Sequence, residues 1–191
     1  MKTWDGRIAE ALVRPLSYTR VTPNHITGLS LVLGVTAGIL FASGKGTLAN
    51  LAAGLFMLSA LVDHADGELA RMTRQSTRFG HYFDFIVDFI NYIALFTGIG
   101  LGLRHGMLGN SAVFMSLLIC LSVSTIFTLR LLREHAHRNI HAQPGFAGFE
   151  IQDVTYLIGP LTWLGGLQPF FIAASIGTPL YTGWMLLQHR R

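Results

Sequence analysis

The chain is short of charge. Only 13% of its 191 residues are Asp, Glu, Lys or Arg, while 51% are hydrophobic and the mean hydropathy is +0.46. A soluble domain of this length carries about twice that charge. The composition therefore excludes an ordinary water-soluble domain and points to an integral membrane protein. Cysteine is nearly absent: Cys120 stands alone in an apolar run, which excludes an internal disulfide framework and leaves it a packing role. Repeats, low-complexity tracts and nucleic-acid-reading motifs are missing. The net charge of +4 is spread over loops, as membrane proteins spread it, so no nucleic-acid partner is expected. The N-terminus lacks the unbroken apolar run of a signal peptide, because Asp5, Arg7, Glu10 and Arg14 interrupt it. Trp4, Ile8, Ala11, Leu12 and Leu16 recur there at helical spacing, with Lys2, Arg7 and Arg14 between them. That pattern predicts a short amphipathic helix within residues 1–20, lying on the membrane surface.

Six apolar segments follow. They run from about His25 to Ser43, Leu48 to Arg71, Gly80 to Leu103, Ser111 to Leu132, Ile151 to Leu164 and Pro169 to Leu187. The long ones approach the twenty residues or so that cross a bilayer. Thr22 is a candidate N-cap for the first, with Pro23 at its first helical position. The fifth is short and contains Pro160; Gly165 and Gly166 end it just before Pro169, which predicts a tight hairpin with the sixth. In a six-crossing arrangement, Lys45 and Arg104 alone fall on one side, and every other Lys and Arg of the 14 falls on the opposite side. A five- or seven-crossing arrangement spoils this alternation, so both termini are expected in the cytoplasm. The expected fold is an all-α integral membrane protein: six transmembrane helices over residues 22–188, preceded by a short amphipathic interfacial helix.

Against that scarcity of charge, half of the ten acidic residues crowd into one window, DHADGELARMTRQSTRFGHYFDFIVD. Helical residues turn by about 100° each, which places Asp63, Asp66, Gly67 and Ala70 on one face of the second helix. Asp84 and Asp88 share a face of the third helix, with Gly80 one turn nearer the cytoplasm. A short loop would turn these faces together. Each acid costs about 2.5–3.5 kcal/mol in a membrane helix, so the cluster calls for protons or cations. Four hard oxygen donors suit Mg²⁺, Mn²⁺ or Ca²⁺, and paired metals suit phosphoryl chemistry. Gly67 and Ala70 leave a flat opening, and Arg71 offers a forked donor set for phosphate. Together these features suggest a ligand with a nucleotide diphosphate. Two other readings compete: loop acids paired with Arg71, Arg74 and Arg78, or a proton or divalent-cation transporter. The first fits Glu68, which points off the shared face, but not Asp84 and Asp88 inside an apolar helix. A prenyltransferase would need aspartate-rich pairs in two separate places and more helices.

The window matches D-x2-D-G-x2-A-R-x8-G-x3-D-x3-D at every fixed position, through Asp63, Asp66, Gly67, Ala70, Arg71, Gly80, Asp84 and Asp88. This resembles the CDP-alcohol phosphotransferases, also called CDP-alcohol phosphatidyltransferases, and the likeness in helix pattern extends over residues 1–191 as a single domain. The resemblance implies a metal-dependent transferase of phospholipid biosynthesis. An acceptor hydroxyl attacks the phosphorus bearing the donor's alcohol group, and CMP leaves. Asp63, Asp66, Asp84 and Asp88 would hold metal, with Asp88 also the general base. Gly67, Ala70, Arg71 and Gly80 would shape the cytidine and pyrophosphate site. Two Mg²⁺ or Mn²⁺ ions are implied, with Ca²⁺ able to bind and inhibit. The resemblance also implies a homodimer in a bacterial or archaeal cytoplasmic membrane. The expected donor is CDP-diacylglycerol, with a soluble CDP-alcohol as the alternative. The acceptor is a small alcohol or alcohol phosphate. Arg130, Arg133 and Arg138 are candidates for binding an acceptor phosphate; plain loop charge is the competing account of them. His135, His137 and His141 lack good spacing for zinc. His64 and His81 occupy variable positions and are expected to face water. Glu150 and Asp153 suit the first turn of a helix.

Overall fold

The computed structural model describes residues 4–135 and 156–189. Every regular element among the described residues is helical. The α-helices are α1 (Trp4–Val13), α2 (Pro23–Ala42), α3 (Gly46–Thr73), α4 (Arg78–Leu103), α5 (Ser111–His135), α6 (Ile158–Trp163) and α7 (Leu167–His189). Five of them, α2, α3, α4, α5 and α7, are long and apolar enough to cross a membrane. The expected segments reappear with ends shifted by a few residues. The fifth differs: only Ile158–Trp163 of the expected 151–164 is α-helical among the described residues, and residues 151–155 lie outside them.

Packing closes the helices into a ring. α2 lies between α3 and α4, α4 packs on α5, α5 on α7, and the short α6 bridges α7 back to α3. α1 packs on α3 from outside the ring, with Ala9 and Val13 buried against Ile26, Ala65 and Leu69. Large apolar side chains point outward, as at Val32, Ile39, Leu121 and Leu180, while Ser30, Ser59, Asn91 and Ser116 are buried inside. Apolar surface of this kind suits lipid as the surrounding solvent, and small polar groups then sit at helix contacts.

Glycine sets how closely α2 and α4 approach. Gly34 and Gly38 are four apart on α2, and Gly98 and Gly102 are four apart on α4. A Cβ on Gly38 would stand 2.5 Å from the Ala94 carbonyl oxygen. A Cβ on Gly98 or Gly102 would run into the carbonyl oxygen of Gly38 or Phe41. Only bare Cα atoms permit this backbone contact, the small-residue packing that membrane helices use in place of a hydrophobic drive.

The turn between α3 and α4 is short. Arg74 ends α3 in a left-handed conformation (φ 56°), and Gln75 N–H donates to the Ala70 carbonyl at 3.0 Å. Thr77 starts α4 by accepting the Gly80 N–H on its hydroxyl at 3.0 Å. This hairpin sets the acidic face of α3 against that of α4.

Candidate active site

Asp63 and Asp66 lie one turn apart near the end of α3, and Asp84 lies in the second turn of α4. Their carboxylate oxygens include a set lying within 4.8 Å of one another. Helical periodicity predicted each face, and the hairpin supplies the convergence. α2 contributes as well. Thr27 hydroxyl donates to Asp66 Oδ2 in a short hydrogen bond. It also lies 3.1 Å from the Pro23 carbonyl. Ser30 hydroxyl stands 3.5 Å from Asp63 Oδ1.

The donor set fits a divalent cation. All three groups offer hard oxygens, the preference of Mg²⁺, Mn²⁺ and Ca²⁺. Two oxygens on opposite sides of one such ion, with bonds of about 2.1–2.4 Å, are separated by roughly 4.2–4.8 Å. The observed spread stays within that limit. Three carboxylates so close inside a low-dielectric bundle repel each other strongly unless charge is supplied between them.

A cleft of about 250 Å³ opens beside the carboxylates, and Asp66, Gly67, Ala70, Arg71, Gly80 and Asp84 all line it. The two glycines differ in what confines them. Among the described residues, a Cβ on Gly67 would meet only Arg71 Nη2, at 3.9 Å. A Cβ on Gly80 would be crowded by Thr77 Oγ1 at 3.1 Å and Asn24 Oδ1 at 3.2 Å. Gly80 is therefore fitted to the helix cap, whereas Gly67 leaves open cleft. Arg71 is exposed but not loose: its Nη2 donates to Glu68 Oε1 at 2.9 Å, and Glu68 is buried. The buried carboxylate turns the guanidinium toward the cleft rim. Glu68 is outside the close carboxylate set and the cleft lining, while Arg71, which it holds, lines the cleft.

Asp88 lies outside the close triad. It lines a second cavity of about 30 Å³, large enough for a water molecule, together with Asp63, His64, Ser30, Ser59 and Asn91. His64 is half-buried rather than facing water, with Nδ1 2.9 Å from the Ala60 carbonyl. His81 is exposed, as expected, and pairs with Glu134 Oε1 at 2.7 Å, joining α4 to α5. Arg130 on α5 lies within electrostatic range of Asp88. Arg133 is turned elsewhere, its Nη2 donating to the Met185 carbonyl of α7 at 3.1 Å. Arg138, His137, His141, Glu150 and Asp153 lie outside the described residues, as does the side chain of His135.

A model of the CDP-alcohol phosphatidyltransferase family matches residues 20–184, which includes every residue of the motif. The chain belongs to this family. Family membership and the apolar helices make it an integral membrane protein. Among its relatives, a phosphatidylinositol phosphate synthase of Corynebacterium glutamicum is 32% identical over 124 residues, covering 63% of this chain and 54% of the relative. A bifunctional IPC transferase and DIPP synthase of Aquifex aeolicus is 23% identical over 189 residues, covering 92% of this chain and 40% of the relative. The chain thus spans about half the length, or less, of the curated relatives it matches. The fold matches a crystal structure of Mycobacterium tuberculosis phosphatidylinositol phosphate synthase with CDP-DAG bound. Its TM-score is 0.66 at 24% identity, over 93% of this chain and 94% of that one. A second crystal structure of that protein, with manganese and citrate, gives a TM-score of 0.63 at 24% identity, over 94% and 88%.

Sequence reasoning about this phosphatidyltransferase-family chain passed over the α2 residues. Pro23, Asn24 and Thr27 line the large cleft, and Ser30 lines the small one. Their signal was available: Asn24, Thr27, Ser30 and Gly34 recur every three or four residues, a polar and small stripe on an apolar helix.

Proposed function

We propose that this protein is a metal-dependent phosphotransferase that moves a phosphatidyl group from CDP-diacylglycerol to a small alcohol phosphate, releasing CMP. The observation that carries the reading is the juxtaposition of three carboxylates within 4.8 Å with a cleft lined by all the remaining motif residues except Asp88. Asp63, Asp66 and Asp84 would hold Mg²⁺ or Mn²⁺, two ions in all, with Asp88 beside them; Ca²⁺ would bind and inhibit. Bound there, the ions would neutralise pyrophosphate charge and stabilise the departing oxygen. Gly67, Ala70 and Gly80 shape the cytidine slot, and Arg71, oriented by Glu68, donates its forked N–H groups to the pyrophosphate. The acceptor oxygen forms its bond to the donor phosphorus as the bond to CMP breaks. The hydroxyl proton passes to the Asp88 carboxylate as general base.

A phosphorylated acceptor is supported by the basic residues of α5 and by the relatives named as phosphatidylinositol and archaetidylinositol phosphate synthases. Arg130, near Asp88, is the leading phosphate ligand, with Arg138 beyond α5. Arg133 contributes through whichever of its donors Met185 does not engage. Two relatives are named as a bifunctional IPC transferase and DIPP synthase rather than as lipid synthases. A second reading, which the same motif serves, is the same chemistry with a soluble CDP-alcohol donor.

Loop charge supports six crossings in a bacterial or archaeal cytoplasmic membrane. Residues 151–164 would complete the fifth crossing, α1 would lie in the interface, and both termini and the site would face the cytoplasm. Residues 1–191 would act as one domain, in a homodimer.

The test is CMP release by purified protein given CDP-diacylglycerol and a panel of alcohols and alcohol phosphates, inositol phosphate included, with and without Mg²⁺ or Mn²⁺. Metal-dependent release with a phosphorylated acceptor is expected. Silence with that donor but release from a soluble CDP-alcohol would select the second reading. Absence of both release and metal-dependent CMP binding would overturn the enzyme and leave a cation transporter.

A further inference from the structure

Beneath the acidic cluster, α2, α3 and α4 meet at a polar contact that the proposed chemistry does not use. Asn91, Ser30 and Ser59 are 5%, 0% and 2% exposed. Asn91 Nδ2 donates to Ser30 Oγ at 3.3 Å and to Ser59 Oγ at 3.4 Å. The hydrogens can be assigned by accounting. Ser59 hydroxyl donates to the Ser30 carbonyl at 2.8 Å, a group that only accepts, so its single hydrogen is committed. The Ser59 oxygen can then only receive, which sets the Asn91 amide with its NH₂ toward the serines. Ser30 also receives from Asn91 and keeps one hydrogen. Its candidate acceptors are Ser59 Oγ at 3.2 Å and Asp63 Oδ1 at 3.5 Å. The carboxylate is the stronger acceptor. The chain therefore runs in one direction, from Asn91 through Ser30 to Asp63.

Stability does not account for this arrangement. Asn91 Oδ1 is buried with no hydrogen-bond partner among the described residues. It packs against the bare Cα of Gly34, where a Cβ would overlap it. An orphaned buried amide oxygen costs at least as much as an interhelical polar contact returns in a membrane. What the amide adds is direction at Asp63.

We propose that Asn91 is a positioning residue: acting through Ser30, it orients the Asp63 carboxylate toward the cation site. Groups that orient metal ligands typically change affinity by about 10- to 100-fold when removed. The Ser30–Asp63 contact is long, so the effect belongs at the lower end, about tenfold. This inference rests on the metal-binding reading above, and its test separates the two.

Mn²⁺ binding would be measured on the purified full chain by the electron paramagnetic resonance signal of free Mn²⁺, alongside melting temperatures in chelator. The proteins are the wild type, Asn91→Leu, Ser30→Ala, the double variant, and Gly102→Ala as a packing control at the far end of the α2–α4 contact. Asn91→Leu and Ser30→Ala should each weaken Mn²⁺ about tenfold. The double variant should be no worse than the weaker single, because both break one chain. Gly102→Ala should melt earlier yet bind Mn²⁺ as the wild type does. Wild-type affinity in Asn91→Leu overturns the proposal. If Asn91→Leu does not fold, unchanged affinity in Ser30→Ala overturns it equally. A Gly102→Ala variant that loses Mn²⁺ in step with its melting temperature would assign the effect to packing and also overturn it. A wild type that binds no Mn²⁺ removes the metal reading itself.

Discussion

Replacing Gly67 by alanine should make the protein more stable and a poorer binder of nucleotide. Gly67 lies inside α3, where glycine costs about 1 kcal/mol relative to alanine. Among the described residues an added Cβ would meet only Arg71 Nη2, at 3.9 Å, which is ordinary van der Waals contact, so they offer no steric objection. The expected gain is about 0.5–1 kcal/mol, or roughly 1–4 °C in melting temperature for a chain of this size. The same methyl would project into the cleft that Gly67 lines with Ala70, Arg71 and Gly80. If the cytidine or pyrophosphate packs there, overfilling costs about 1–3 kcal/mol, which is about 5- to 150-fold in CMP affinity. Thermal melting in chelator and calorimetric CMP binding with Mn²⁺ would read the two effects separately. A variant that melts earlier would refute the view that protein packing leaves Gly67 unconfined. A variant that binds CMP as tightly as the wild type would refute the placement of the nucleotide.

Three further outcomes are expected. Asp84→Asn should abolish turnover and weaken metal-dependent CMP binding, both read on the purified variant; wild-type turnover would remove Asp84 from the metal site. Asp88→Asn should cut turnover by about 100-fold or more while keeping most CMP affinity, and normal transfer would mean that another group takes the proton. Gly98→Ala should destabilise by at least about 1–3 kcal/mol in a melting assay, because its Cβ meets the Gly38 carbonyl, backbone that cannot rotate away.

Glycine also shows where sequence reading stopped. The motif glycines Gly67 and Gly80 were visible through their spacing to carboxylates, yet their different surroundings were not. Gly80 is crowded by Asn24 from α2, a residue 56 positions away along the chain. The arginines divided in the same way. Arg130 and Arg133 share a helical face by spacing, but Arg133 is drawn to the Met185 carbonyl of α7. The fifth segment is short and contains Pro160, with Gly165 and Gly166 after it; among its described residues the α-helix runs over Ile158–Trp163.

The sequence by itself determined the membrane class, the placement of the long helices and the two acidic faces, because hydropathy and the helical period are local properties of consecutive residues. It also carried the family motif, since eight fixed positions fall within one hairpin. Tertiary structure alone decided which groups serve that hairpin from elsewhere. Thr27 reaches Asp66 and Asn91 reaches Ser30 across separations of 39 and 61 residues. The first is a contact of α2 with α3; the second depends on how closely α2 and α4 approach, a distance set by glycines on both helices meeting each other's backbone.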